Sequence, residues 1–550
     1  MLRSKRTEQR AIHQLCIRPT GGGKSLLFTT LASCLGRITL CITPLLSLGA
    51  DQTIKHQHNT KTKSTELNSL HLDEVPKGDM QLTLNLLLAT APSSSILVYA
   101  SPQSLVTKAT GRSVCLEFLL VNHHLLSMIV IDEIHLLTDF GRSFRADINM
   151  LKDELFNKVK ETTPMVFLTA TCTKSVRSSF EDLIGVKCNS VHWPSPLEMT
   201  NQKVRIEVMY TPLWYASVQK TIAFYLPNHA TLPNKVIIYS NARKRILKLV
   251  DKLENYLDGD NKFEDIDVLT LVGTQTRAEK AAIINRFVNG REALGNMNIL
   301  CATSGVGNAG IDCRDVRAVY RVDFPPSIAD LSQECGRAGR RDDAAPDNYV
   351  YQVAICLESF LHIFRRINHP ETRSADAAYR KYQLQEVMDV ASLLSSSVQC
   401  YYITIEKKLG NPYVLVEGEQ ERCGTCPNCL RTKIFPSVSK NGMKTILFDI
   451  FLCGPNQITD RRTPQCVWRS IRNYPNSGQM IFRSRSTRTT ALGTIKKVMF
   501  QLIASRIIDI QFDSNENDVI LGLGKATETT DCTELAMNVD TFWDNLNLST

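Results

Sequence analysis

Four sets of residues in this chain have the types and spacing that chemistry uses. The first is Thr20-Gly21-Gly22-Gly23-Lys24-Ser25, inside the stretch CIRPTGGGKSLLF. A glycine-rich turn between a strand and a helix lets backbone N–H groups converge on phosphate oxygens, while a lysine reaches the β- and γ-phosphates and a hydroxyl holds Mg²⁺. The longer G-x-x-x-x-G-K-[ST] pattern wants glycine where Arg18 stands, so the match is to the shorter T-G-x-G-K-S form. The second set is the pair Asp132 and Glu133 at the end of the apolar run MIVIDEIH. Adjacent carboxylates of this kind can divide the work, one holding Mg²⁺ and the other orienting an attacking water. Together the two sets point to cleavage of a nucleoside triphosphate.

The third set is QECGRAGR, in which Arg337 and Arg340 flank a glycine-rich bend that reads as a helix start. Arginines there make poor core residues and good cations for a phosphate across a cleft, a contact worth ~10³ to 10⁵ in rate. The fourth is Cys400 with Cys423, Cys426 and Cys429, from QCYYITIEKKLG and ERCGTCPNCL. The C-x₂-C-x₂-C spacing is too tight for unstrained disulfides, but three thiolates and a distant fourth suit tetrahedral Zn²⁺. No histidine follows His369, so a metal here must be held by these cysteines. Redox-active thiols are the other reading of the same cluster.

The elements that must position these residues are strands and crossover helices. ITLCITPLLSL, SILVYASPQSL, SMIVIDEIHLL and PMVFLTATCTK in the first part of the chain are apolar strands ending in polar turns. KVIIYSNARKRILKLVDKL, DVLTLVG, MNILCATSGVG and VRAVYRVDFP repeat the rhythm, without a second phosphate loop. Such alternation predicts two α/β lobes built on parallel sheets, whose functional residues gather at the carboxyl ends of the strands. At 550 residues the chain has room for three or four domains at the usual ~150 residues each. No apolar run approaches the ~20 residues of a membrane span, and MLRSKRTEQR is not followed by the apolar core of a signal peptide, so the protein reads as soluble and intracellular.

The net charge of +9 is unevenly placed: residues 431–510 carry 14 Lys/Arg against three Asp/Glu, a local balance of +11 that leaves −2 for the rest. Trp468, Tyr474 and Phe482 interleave these cations, as in a surface that grips phosphates and stacks bases, although a solvated face has the same composition.

The order of motifs resembles that of a superfamily 2 DNA helicase of the RecQ family, over about residues 9 to 430. TPLLSLGADQ, YASPQSL, IDEIH, FLTAT, IIYSNAR, CATSGVG, GIDCRDVRAVYRVDFPPSIADLSQECGRAGR and the cysteine cluster follow in the family's order. Within that family the likeness is to the fungal subtelomeric kind. The resemblance implies an ATP-dependent 3′-to-5′ DNA helicase that couples ATP hydrolysis to translocation on single-stranded DNA and to duplex unwinding. It implies ATP, Mg²⁺ and Zn²⁺ as cofactors, DNA with single-stranded and duplex parts as the partner, and a nuclear role in DNA repair and recombination.

Carried over residue by residue, it makes Lys24 and Ser25 the phosphate and Mg²⁺ contacts, with Thr20, Gly21, Gly22 and Gly23 around them, Asp132 the metal-side acid and Glu133 the base. Thr169-Ala170-Thr171 would link hydrolysis to lobe movement, and Gln333, Arg337 and Arg340 would complete the ATP site from the second lobe. TDFGRSFR would be the loop that senses single-stranded DNA, with Phe140, Arg142, Phe144 and Arg145 as its contacts and Phe140 in place of the family's tryptophan.

The expected domains are RecA-like lobe 1 over residues 1–195, RecA-like lobe 2 over 196–355, a helical zinc-binding module over 356–435, and a basic region with an acidic tail over 436–550. In the last, TTALGTIKKVMFQLIASRIIDIQF and NDVILGLG read as a helix and a β-hairpin, either the end of a partial winged helix or a plain extension. Two other functional readings of the chain stay open: a catalytically impaired DNA-binding relic of a helicase, and an RNA-directed ATPase.

Overall fold

The computed structural model describes residues 10–19, 21–43, 67–76, 78–106, 112–134, 142–195, 198, 200–210, 234–257, 266–289, 297–307, 311, 313–340, 349–370, 377–396, 399–412, 422–430, 500, 503–504, 508–513 and 518–523. Thr20, Phe140 and the basic stretch with Trp468, Tyr474 and Phe482 lie outside them.

The apolar runs form strands because they are buried on both faces of a sheet, where β-branched residues pack well. Seven strands make the first sheet: β1 (Gln14–Ile17), β2 (Arg37–Ile42), β3 (Leu67–His71), β4 (Ser95–Ala100), β5 (Leu126–Ile131), β6 (Met165–Thr169) and β7 (Ser190–His192). Their order across the sheet is β3-β4-β2-β5-β6-β1-β7, with every neighbouring pair parallel. This order sets the ends of β5, β6 and β1 side by side, so the acids, the Thr169 tripeptide and the glycine loop share one edge.

The second sheet holds β8 (Val204–Tyr210), β9 (Asn234–Ser240), β10 (Ile266–Leu271), β11 (Met297–Thr303), β12 (Val316–Arg321) and β13 (Tyr349–Ile355). Its order is β10-β11-β9-β12-β13-β8, again with every neighbouring pair parallel.

Seven helices frame the site and the module behind it: α1 (Lys24–Leu35), α2 (Arg142–Leu151), α3 (Arg243–Leu257), α4 (Ile328–Cys335), α5 (Leu357–Asn368), α6 (Ala377–Ser395) and α7 (Tyr401–Lys408). The last three form a helical layer after β13, and α5 presents a strongly amphipathic face whose Phe360 and Phe364 pack inward. Phe500 joins it edge-on against Phe324 and Phe360, with ring centroids 6.0 and 5.5 Å away. Beyond lies an antiparallel hairpin, β14 (Ile508–Asp513) and β15 (Asp518–Leu523). No helix among the described residues is long and apolar enough to cross a membrane.

One expectation is corrected. Arg337 and Arg340 follow a helix and do not start one: α4 begins after Pro325-Pro326, where the Ser327 hydroxyl accepts from the Asp330 N–H at 3.0 Å, and it closes at Gly336. The prolines and the serine cap are stronger start signals than the glycines, which end helices.

Candidate active site

β1 leads straight into the glycine loop, and α1 begins at Lys24. Gly23 caps the helix with φ of 79°, in the left-handed region where a side chain is strained, so the loop can turn its backbone N–H groups toward the helix mouth. The Arg18 N–H donates to the Thr169 carbonyl at 3.0 Å, which fastens the loop to the end of β6.

Lys24 is nearly buried and its Nζ lies 3.3 Å from Glu133 Oε1 and 3.5 Å from the Arg18 carbonyl. Phosphate oxygens entering the loop would compete with Glu133 for this cation. Glu133 itself has φ of 50°, a conformation that costs a non-glycine residue on the order of 1 kcal/mol or more. The Asp132 carboxylate supports that backbone by accepting from the Glu133 N–H at 2.9 Å. Asp132 is 2% exposed; burial, and then the Glu133 charge, push its carboxyl up to about 7 against the pull of Lys24. A carboxyl so desolvated is eager for a cation, so the donor set of Ser25 and Asp132 beside Lys24 fits Mg²⁺ carried on a phosphate.

The second lobe reaches this edge through Arg340. Its Nε lies 3.6 Å from the point a Cβ would occupy on Gly21, so the guanidinium stands over the glycine loop of the first lobe. Its Nε also donates to the Gly336 carbonyl at 3.0 Å, while Arg337 is buried and donates through Nη1 to the Ile311 carbonyl at 2.6 Å. Gln333 is half-buried on α4, one turn before Arg337. Thus Lys24, Glu133, Asp132 and Arg340 meet around one loop, although 316 positions separate the first from the last. Arg142, Phe144 and Arg145 begin α2, and only their backbone is described.

Sequence reasoning passed over Arg321. This residue is 0% exposed at the end of β12, with Nη1 2.6 Å from Glu334 Oε1 and Nε 2.9 Å from Asp323 Oδ1. Its remaining donors reach the Ser304 hydroxyl, the Asn241 side-chain oxygen and the Phe324 carbonyl. Burial opposes the guanidinium charge, but Glu334 and Asp323 outweigh it and hold Arg321 firmly protonated. The signal was an arginine closing a strand that is apolar apart from Arg317, in VRAVYRVDF, since a buried charge there needs partners.

The four cysteines come together as well. The Sγ atoms of Cys400, Cys423, Cys426 and Cys429 all lie within 4.8 Å of one another, with Cys423 and Cys429 3.7 Å apart and Cys426 and Cys400 3.9 Å apart. Tetrahedral Zn²⁺ with bonds of ~2.3 Å sets its sulfurs ~3.8 Å apart, so the cluster fits the metal. Asn428 secures the loop by donating to the Ser396 and Gln399 carbonyls at 3.0 and 2.7 Å. Helix α7, which starts after Cys400, carries the module onto the first lobe beside the end of β6. A Cβ on Gly410 would come within 2.6 Å of the Cys172 carbonyl oxygen, just past the Thr169 tripeptide, so only glycine fits.

Two family models match the chain in sequence order: DEAD/DEAH box helicase over residues 7–179 and helicase conserved C-terminal domain over 217–342. The chain is 30% identical to ATP-dependent DNA helicase Q-like 4B of Arabidopsis thaliana over 334 residues, covering 59% of this chain and 26% of that protein. It is 25% identical to ATP-dependent DNA helicase RecQ of Haemophilus influenzae, over 76% of this chain and 58% of that one. With RecQ-like DNA helicase blm-1 of Caenorhabditis elegans the identity is 26%, over 79% of this chain and 40% of the relative. The chain thus carries a DEAD/DEAH box helicase domain followed by a helicase C-terminal domain, and these relatives are RecQ and RecQ-like DNA helicases.

The chain spans between about a quarter and three fifths of the length of these relatives. Its two parallel-sheet lobes are the RecA-like pair that the sequence led one to expect. The likeness to DNA-bound MrfA, a DUF1998 helicase, has a TM-score of 0.47 at 16% identity, over 70% of this chain and 52% of that one.

Proposed function

We propose that this chain is a helicase of the RecQ type, which hydrolyses ATP and converts each cycle of lobe closure into 3′-to-5′ movement along single-stranded DNA, unwinding duplex ahead of it. The observation that carries the reading is Arg340 of the second lobe standing over Gly21 of the first, beside the Lys24–Glu133 pair. A site assembled from two lobes is complete only when they close, so nucleotide binding and lobe position are linked.

In this reading Lys24 turns from Glu133 to the phosphates, which frees Glu133 to orient the attacking water. Arg340, with Arg337 and Gln333 behind it, meets the charge that develops on the transferred phosphoryl group. Ser25 and Asp132 would hold Mg²⁺, which neutralises phosphate charge when bound. Thr169-Ala170-Thr171 lies between the loop and the acids, where a change on either side moves it. Its Thr169 hydroxyl donates to the Thr171 carbonyl at 2.8 Å, making a compact turn that shifts as a unit. Phe140, Arg142, Phe144 and Arg145 would contact the strand.

The four cysteines would hold Zn²⁺, which supplies folding free energy to the module. A place in the nucleus, in DNA repair and recombination, belongs to the same proposal.

The test is ATP turnover by the full chain with no nucleic acid, with single-stranded DNA and with single-stranded RNA, followed by unwinding of duplexes with 3′ or 5′ tails. Turnover stimulated by DNA and unwinding from 3′ tails are expected. RNA-specific stimulation, unwinding only from 5′ tails, or no turnover at all would each overturn the corresponding part.

A further inference from the structure

The buried arginine of β12 has partners on four separate segments of the second lobe. Arg321 satisfies Glu334 on α4, Asp323 in the loop after β12, Ser304 just after β11, and Asn241 just after β9. Asp323 in turn accepts from the Ser240 hydroxyl at 2.7 Å and the Asn241 N–H at 2.8 Å, and Glu334 Oε2 accepts from the Tyr351 hydroxyl at 3.1 Å on β13. One guanidinium thereby ties together the carboxyl ends of β9, β11 and β12 and the last turn of α4. A planar fork of five donors can do this, and a lysine ammonium with its single nitrogen cannot.

What hangs from that turn of α4 is Arg337, buried behind the site, and Arg340, which stands over the first lobe. The Arg337 N–H donates to the Glu334 carbonyl at 3.1 Å, the Arg337 side chain holds the Ile311 carbonyl, and Arg340 Nη1 reaches the same carbonyl at 3.4 Å. Ser304 opens the short helix Ser304–Gly307 and Ile311 lies seven positions further along the chain; Arg321 grips the first and Arg337 the second. Ser304, Ile311, the end of α4 and Arg340 are consequently held in one register.

We infer that Arg321 is a positioning residue for the proposed ATPase: through Glu334 and Ser304 it sets where Arg340 stands over Gly21. This rests on the function proposed above. It predicts a defect in the chemical step and not in nucleotide capture, because Arg321 itself lies behind the site while Lys24 and the glycine loop are untouched.

The experiment uses the full chain with the variants Arg321→Lys, Glu334→Gln and their combination. Each is examined by thermal melting, by the kcat and KM of ATP turnover with single-stranded DNA, and by amide hydrogen exchange without nucleotide. Both single variants should lower kcat by at least ~10-fold with KM within ~2-fold, the pattern of an interaction made mainly in the transition state. The double variant should be no worse than the weaker single one, since both cut the same tie. Exchange should quicken together over 304–307 and 334–340 while the β9 residues 236–239 keep wild-type protection.

Wild-type kcat in Arg321→Lys, or a raised KM with unchanged kcat, would overturn the assignment. If Arg321→Lys fails to fold, Glu334→Gln decides by the same criteria. If the wild-type chain turns over no ATP, the function proposed above is wrong, and exchange alone judges the tie: unchanged protection at 304–307 and 334–340 in both variants would refute it.

Discussion

Replacing Asp132 by asparagine is expected to stabilise the nucleotide-free protein while ending the proposed ATP turnover. The carboxyl is 2% exposed, and burial with the neighbouring Glu133 raises it from an ordinary 3.8 to about 7. The folded protein therefore keeps a proton that the unfolded chain has released between about pH 4 and pH 7. Stability falls as pH rises through that window; the loss is absent below about 4 and complete above about 7. Three tenfold steps at ~1.4 kcal/mol each set an upper bound of about 4 kcal/mol, and relaxation around the site brings a realistic figure nearer ~2 kcal/mol.

Asparagine keeps the oxygen that accepts from the Glu133 N–H at 2.9 Å, so the left-handed turn at Glu133 retains its support. At ~2 to 4 °C per kcal/mol for a lobe of this size, the variant should melt ~5 °C above wild type at pH 8 without Mg²⁺. The advantage should shrink to nothing by about pH 4, below the unfolded pKa. Melting curves across that range decide it. A variant that melts lower than wild type at pH 8, or one with the same offset at every pH, would show that the Asp132 charge carries no desolvation penalty.

The other expectations are simpler. Lys24→Ala and Glu133→Gln should each reduce turnover by at least ~10²-fold, the first by losing nucleotide affinity and the second with ATP still bound, which equilibrium binding of a fluorescent analogue separates. Cys426→Ser should remove one equivalent of zinc by metal analysis and lower the melting temperature, and soluble, active wild-type protein without zinc would refute the metal assignment. Gly410→Ala should cost about 1 to 3 kcal/mol, because its φ of 89° and the 2.6 Å approach to the Cys172 carbonyl both exclude a methyl group; an unchanged melting temperature would show that the contact yields freely.

The residues legible in the sequence were those whose signal is local. The glycine loop with Lys24, the acid pair after an apolar strand and the cysteine spacing each carry their chemistry within a few positions, and the structure brings each set together. Arg321 was not legible because its partners are 80, 17 and 13 positions away, at Asn241, Ser304 and Glu334. The need for glycine at 410 was not legible either, because its reason is the carbonyl of Cys172, 238 positions earlier. The start of α4 was misjudged since the bend of QECGRAGR outweighed the Pro325-Pro326-Ser327 signal just upstream. Long-range contacts and strand order decide such cases, and neither has a sequence period.

The position of β1 has a consequence for how the protein is made. This strand, Gln14–Ile17, leaves the ribosome ahead of the rest of its sheet, yet its sheet partners among the described residues are β6 at 165–169 and β7 at 190–192. Until those segments emerge, at ~5 to 20 residues per second, β1 has no ladder to join and the loop after it has no fixed edge. The second sheet repeats the delay, since β8 at 204–210 finds its described partner in β13 at 349–355. A nascent chain therefore carries each of these apolar strands unpaired for a long stretch of synthesis, and the nucleotide loop is among the last parts of the first lobe to take shape. Ribosome-stalled chains ending before residue 165 would carry every atom of that loop without the means to hold a phosphate.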